Sequence, residues 1–232
     1  MLITTPNQIQ SIAWEGELEP SETAMTVRGK KNRPVATLGK PEFWPAAAAM
    51  ESEVGKKWTP PLGGAEFWLA RFACSLRDPH GRLQITAAAQ SLYLRPRSAS
   101  AEQGDVYAYS LFPDRLTVED KGTIKVNLSP ELSFAKVISF KPGELGVDIE
   151  HRQAFPVVQS YGAGEATAMW EFTSHPAHPL AGTQFVYAVI AAMPGSDGGR
   201  GSIALVVTVQ KEYGRIRYGI PQEEKRNVSF TI

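Results

Sequence analysis

Four histidines, one cysteine and one pair of carboxylates are the groups in this 232-residue chain whose types and spacing could do chemistry. Of His80, His151, His175 and His178, only His175-Pro176-Ala177-His178 has the spacing of two metal ligands. Flanking prolines hold that stretch in an extended turn where the rings need not converge, and no neighbouring carboxylate or thiol completes a ligand set, so it reads as a loop. In Val147-Asp148-Ile149-Glu150-His151, an extended backbone points Asp148 and Glu150 the same way and His151 the other way. Two like-directed carboxylates suit a general acid and a general base, although the wet face of an edge strand is the commoner meaning of the pattern. Cys74, the single cysteine, excludes an intramolecular disulfide and leaves too few thiols for a cysteine-rich zinc site. It sits in an apolar run with nothing nearby to lower a thiol pKa, and reads as a small buried hydrophobe.

Other patterns carry less chemistry. Gly162-Ala163-Gly164 and Gly198-Gly199-Arg200-Gly201 lack the strand-to-helix context and the Lys-Ser/Thr continuation of phosphate loops, so they read as turns. No Gly-x-Ser-x-Gly elbow is present. A Ser-His-Asp triad is recognised by geometry and not by order, and stays open. Tyr107 and Tyr109 share a strand face, where they could stack a sugar or a base or pack across strands. Nothing calls for a metal or a cofactor, and the expectation is a protein with no catalytic residues.

The elements that must position these groups are strands. In Ala166 to Thr173 the side chains alternate, with Ala168, Trp170 and Phe172 on one face and Thr167, Met169, Glu171 and Thr173 on the other. Phe185 to Met193 is apolar on both faces, which predicts a central strand covered on each side. Ile203 to Val209 carries Ile203, Leu205, Val207 and Val209 on one face. The glycine-rich stretch Pro194 to Ser202 between the last two predicts a flexible hairpin, mobile enough to be the first place a protease cuts. Upstream, Glu66 to Leu76 and Leu83 to Leu94 flank an Asp78-Pro79-His80-Gly81 turn and predict a second hairpin. Val106 to Phe112, Leu116 to Val118 and Thr123 to Leu128 follow, the last two joined by a tight turn, then Val137 to Phe140, Gly146 to Glu150 and Phe155 to Tyr161. About ten strands without a helical period long enough to cover a parallel sheet predict an all-β antiparallel sandwich, immunoglobulin-like or jelly-roll-like.

Residues 1–64 differ from residues 65–232. They hold Pro34, Pro41, Pro45, Pro60 and Pro61 among charged pairs, and their large apolar residues come as isolated aromatics. This composition predicts an irregular N-terminal arm with one short helix, opened by Pro45, carried by Ala46 to Ala49 and stopped at Gly55. Trp14, Phe43, Trp44 and Trp58 either pack the arm on its own domain or anchor it on a partner, and they are the candidate partner-binding residues.

Composition bounds the function. Twenty-four basic residues balance 24 acidic ones with no long block of one sign, which argues against a nucleic-acid or anionic-membrane surface. The N-terminus has neither a basic region nor a long apolar core, and no apolar run reaches about 18 residues, so no secretory signal or membrane helix is expected and a cytoplasmic protein fits. From about Asn127 to Gln210, the order YGAGEATAMWEF, PLAGTQFVYAVI, SIALVVTV resembles bacterial immunoglobulin-like sandwich modules: a Trp-x-aromatic strand, a glycine turn and two apolar strands. The resemblance implies a binding or scaffolding module with no catalytic residues. Three readings follow: a non-enzymatic module that contacts another protein, a carbohydrate-binding or glycoside-processing β domain using Trp and Tyr platforms with Asp148 and Glu150, and a structural subunit of a phage or secretion assembly.

Overall fold

The computed structural model describes residues 8–21, 32–49, 60–119, 124–127, 154–176, 179–211 and 214–232. Their strands form two antiparallel sheets. The smaller sheet runs in the order β1 (Ile12–Glu17), β3 (Val35–Gly39), β5 (Glu66–Arg77), β12 (Gly182–Ala192), β7 (Val106–Phe112), with β4 (Glu42–Pro45) also paired to β5. The larger runs β2 (Glu19–Pro20), β14 (Gly214–Gly219), β13 (Gly199–Lys211), β6 (Gln84–Pro96), β11 (Thr167–Thr173), β10 (Ala154–Tyr161), β8 (Arg115–Glu119), β9 (Ile124–Asn127), with β15 (Ser229–Thr231) beside β13. This is the expected all-β sandwich.

Its core follows from the period of two. On β11, Ala168, Trp170 and Phe172 are buried while Thr167, Glu171 and Thr173 are exposed. On β13, Ile203, Leu205, Val207 and Val209 point inward together. Across the gap, Phe72 of β5 meets Trp170 with ring centroids 6.0 Å apart, and Phe230 of β15 closes on Phe72 at 5.8 Å. β12 is buried on both faces, as its unbroken apolar run predicts. Val186, Ala188 and Ile190 face the sandwich core, whereas Tyr187, Val189 and Ala191 face a second cluster on the outside of the sheet. That outer cluster is roofed by Ala46 and Ala49 of a helical turn at residues 46–49. The helix therefore starts where Pro45 and the alanine run place it, docked on an apolar surface that a short helix needs.

Two expected hairpins are instead connections between sheets. β5 and β6 flank the Asp78 turn, but β5 pairs with β12 and β6 with β13 and β11. The same holds for β12 and β13 around the glycine-rich stretch, which passes from the smaller sheet to the larger. At these two turns, neighbours in sequence thus lie in different sheets and share no hydrogen-bonded ladder. The glycine-rich stretch is tied down: the Ser196 carbonyl accepts from the Arg97 and Ser98 amides, Ser196 Oγ donates to the Met193 carbonyl at 2.7 Å, and Gly199 exchanges both backbone bonds with Ile232. Its glycines serve close approach, since a Cβ at Gly199 would meet Val106 and Ile232, and one at Gly201 would meet the Phe230 ring. By contrast, β10–β11, β8–β9 and β13–β14 are true hairpins.

The N-terminal segment departs from the picture of an irregular arm. Its described residues contribute β1, β3 and β4 to the smaller sheet and β2 to the larger. These strands are two to six residues long, too short to show a period among the prolines that separate them. The C-terminal strands β14 and β15 and a 3-10 helix at Gln222–Val228 complete the larger sheet beyond the segments legible as strands.

Candidate functional site

The outer face of the larger sheet carries a concave surface whose lining is polar and fully described. Its side chains alternate with the core. On β6, Leu92, Leu94 and Pro96 are buried while Tyr93 and Arg95 point out; on β13, Ile203 points in while Arg200 and Ser202 point out. Register then decides which of these meet: Tyr93 stands between Thr167 and Ser202, and Arg95 stands directly opposite Arg200. Beyond Pro96 the chain folds over this end of the sheet. Ser98 and Ser100 share a hydroxyl hydrogen bond of 2.8 Å, and Glu102 and Asp105 cap a 3-10 turn, Gln103–Asp105, reciprocally. The overhang and the two strands enclose an open cleft of about 550 Å³ lined by Tyr93, Arg95, Ser98, Gln103, Thr167, Arg200 and Ser202 among others. That volume is in the range of small-molecule sites.

Two features set the cleft apart. Tyr93 is 46% exposed, unusual for a large side chain in the middle of a sheet. Arg95 and Arg200 are cross-strand neighbours of like charge, an arrangement that destabilises a sheet, and no acceptor for either guanidinium is found among the described residues. An anion between them would turn that repulsion into two charge-assisted, bidentate contacts. The hydroxyls of Ser98, Thr167 and Ser202 and the Gln103 amide supply neutral donors and acceptors around it.

The candidate catalytic, metal and partner-binding residues that are described lie elsewhere. Trp14 is buried in the sandwich core, and Phe43 packs inward on Phe72 and Phe230 at 6.4 and 5.2 Å. Trp44 faces the other side of its strand, over the Arg71 guanidinium at 5.2 Å, where Arg71 also donates to Glu42 at 2.6 Å. Trp14 and Phe43 thus share the sandwich core, and Trp44 lies on the opposite face of the smaller sheet. Trp58 lies outside the described residues, as do Asp148, Glu150, His151 and His178. His175 is half-buried just after β11. Trp170 is wholly buried, which removes it as a sugar platform. Tyr107 and Tyr109 pack on the outside of the smaller sheet, Tyr109 edge-on to Phe67 at 5.4 Å. Burial, with Tyr109 adding to it, pushes the Tyr107 phenol up. Burial also pushes the Cys74 thiol up to about 12. Among the described residues no three His, Cys, Asp or Glu side chains gather as a metal site, and no helix is long and apolar enough to cross a membrane.

The cleft was not visible in the sequence. In sequence, Arg200 belongs to a glycine run, Tyr93 stands near the end of the expected strand Leu83 to Leu94 and Arg95 just beyond it. The available signal was Tyr-x-Arg at the end of that strand, two large polar residues on the face opposite Leu92 and Leu94.

No family model matches the chain, and no curated protein matches it. Solved structures align weakly. A structure of the manganese lipoxygenase of Gaeumannomyces graminis with part of the zonadhesin of Komagataella pastoris is 9% identical at a TM-score of 0.29, over 83% of this chain and 46% of that one. This chain thus spans less than half the length of that match. The Clostridium perfringens NetB toxin in its membrane-inserted form is 6% identical at 0.32, over 94% and 100%, and the delta-toxin of Clostridium perfringens is 7% identical at 0.28, over 88% and 95%. Likeness at these scores carries no inference about function.

Proposed function

We propose that the protein is a non-enzymatic binding module whose ligand is an acidic saccharide held in the Tyr93–Arg95–Arg200 cleft. The observation that carries this reading is the apposition of Arg95 and Arg200 beside an exposed tyrosine face. An aromatic ring stacks on the apolar face of a sugar, the paired guanidinium groups take its carboxylate or sulfate, and the surrounding hydroxyls and amide meet its hydroxyls. The described lining holds no carboxylate or imidazole to act as general acid or base, which supports binding without catalysis. The sugar-binding reading thereby moves from Trp170 to residues on the opposite face of the larger sheet, Asp148 and Glu150 lying outside the described residues. Of the candidate partner-binding residues, Trp14 and Phe43 pack into the sandwich core and Trp44 lies on the outside of the smaller sheet.

Titration calorimetry with galacturonic acid trimer, a sulfated disaccharide and their neutral counterparts tests the proposal. The acidic forms bind and the neutral ones do not, and Arg95→Ala or Arg200→Ala weakens binding about tenfold or more, as loss of a hydrogen bond to a charged group implies. Equal binding of neutral and acidic sugars, or no binding of either, rejects it.

A further inference from the structure

The cleft is one end of a longer surface. From it the outer face of the larger sheet continues across β11 to β10, and the second exposed aromatic of this sheet, Tyr161 at 43%, stands there. Tyr161 is opposite Met169, which is opposite Ser91, two residues before Tyr93. With strands ~4.8 Å apart and residues ~3.4 Å apart along them, the two tyrosines are ~12 Å from each other, and Tyr161 is ~20 Å from Arg200. Between them the side chains are short or unbranched: Ser91, Met169 and Thr167. Arg115, exposed on the next strand, lies one row from Tyr161 and acts on its phenol, so positive charge stands at both ends of the row. Burial first, and then the neighbouring Glu171 carboxylate, push the Tyr161 phenol up, so Glu171 is an acidic group standing beside this ring.

We propose that this face binds a single acidic polysaccharide chain lying diagonally from Tyr161 to the Arg95–Arg200 cleft, so that the protein recognises a polymer and not an isolated sugar. The inference rests on the cleft as an acidic-saccharide site and adds a second platform to it. Charge complementarity selects the occupant. A row with arginines at its ends and only Ser91, Thr167 and the unbranched Met169 between two rings accommodates an extended anionic chain, while a monosaccharide cannot reach both ends. Each ring takes the face of one sugar, and the cationic ends take the acid groups.

Calorimetry on the full chain with galacturonic acid monomer, trimer and hexamer reads this directly. The hexamer binds at least about tenfold tighter than the monomer, and Tyr161→Ala lowers hexamer affinity about tenfold, the upper part of what one stacked ring contributes, while leaving monomer affinity unchanged. Glu171→Gln removes a like charge and tightens the hexamer without affecting the monomer. Sulfated oligomers of matched length, run in parallel, separate recognition of carboxylate from recognition of sulfate. If monomer and hexamer bind equally and both are lost in Arg95→Ala, the cleft stands and the extended surface is overturned. If no acidic sugar binds at any length, the cleft reading falls and this inference with it. Salt-insensitive self-association of the chain that Tyr161→Ala abolishes would make the face a protein interface and overturn the polymer.

Discussion

Single residues set the pH and redox behaviour. Burial works to raise the Asp78 carboxyl, but the backbone N–H groups of Leu83, His80, Arg82 and Gly81 outweigh it and hold the group below its ordinary value of 3.8. A carboxyl lowered in the folded state adds stability above its unfolded pKa and loses it as pH falls through the folded one. The Asp78 contribution is therefore complete above about pH 4 and disappears below it, and Asp78→Asn flattens that acid limb of the unfolding curve. Cys74 sits wholly buried between Leu38 and Gln184 across its strand, its thiol raised to about 12. It resists iodoacetamide at pH 8 in the folded protein and reacts on denaturation; labelling of the native protein at the rate of a small thiol would show that the smaller sheet opens. Gln90 is 1% exposed beside Trp170, and its amide has no hydrogen-bond partner among the described residues. Relief of that desolvation predicts that Gln90→Met raises unfolding free energy by about 1–3 kcal/mol, measured in urea.

Among the elements, connections do more than join strands. The β10–β11 hairpin turns through Gly162, at φ +84°, where a Cβ would run into the Thr167 carbonyl oxygen. Gly162→Ala accordingly costs about 1–3 kcal/mol in backbone strain and steric displacement, read as a lowered urea midpoint. The Pro194 to Ser202 crossing shows the opposite use of glycine. Composition there predicts mobility, yet its hydrogen bonds to Arg97, Ser98 and Ile232 hold it against both sheets. Trypsin acting on the native protein spares the bond after Arg200; early cleavage there would mean that the crossing opens without global unfolding.

At the scale of the molecule, the two sheets are held by one interior, and Trp170 is its largest wholly buried side chain. Trp170→Ala costs about 3–5 kcal/mol. It lowers stability without bearing on ligand selectivity, because the cleft lies on the other side of the same sheet. Strand type, alternation and the double-faced burial of β12 were legible because a period of two and an unbroken apolar run are local properties of the chain. So were the start of the helix after Pro45 and the burial of Cys74. The expected hairpins at Asp78 and at the glycine run, by contrast, were local guesses about non-local pairing. A turn brings two strands together without deciding whether they share hydrogen bonds or pack face to face. The cleft depends on that choice. Arg95 and Arg200 are 105 positions apart in sequence and meet only through the β6–β13 register, where a slip of one residue would turn either side chain into the core. Sequence alone thus determined which segments are strands and which of their faces are apolar. Tertiary structure decided which outward faces became neighbours, because strand pairing in a sandwich is set by the packing of the whole interior and not by any one turn.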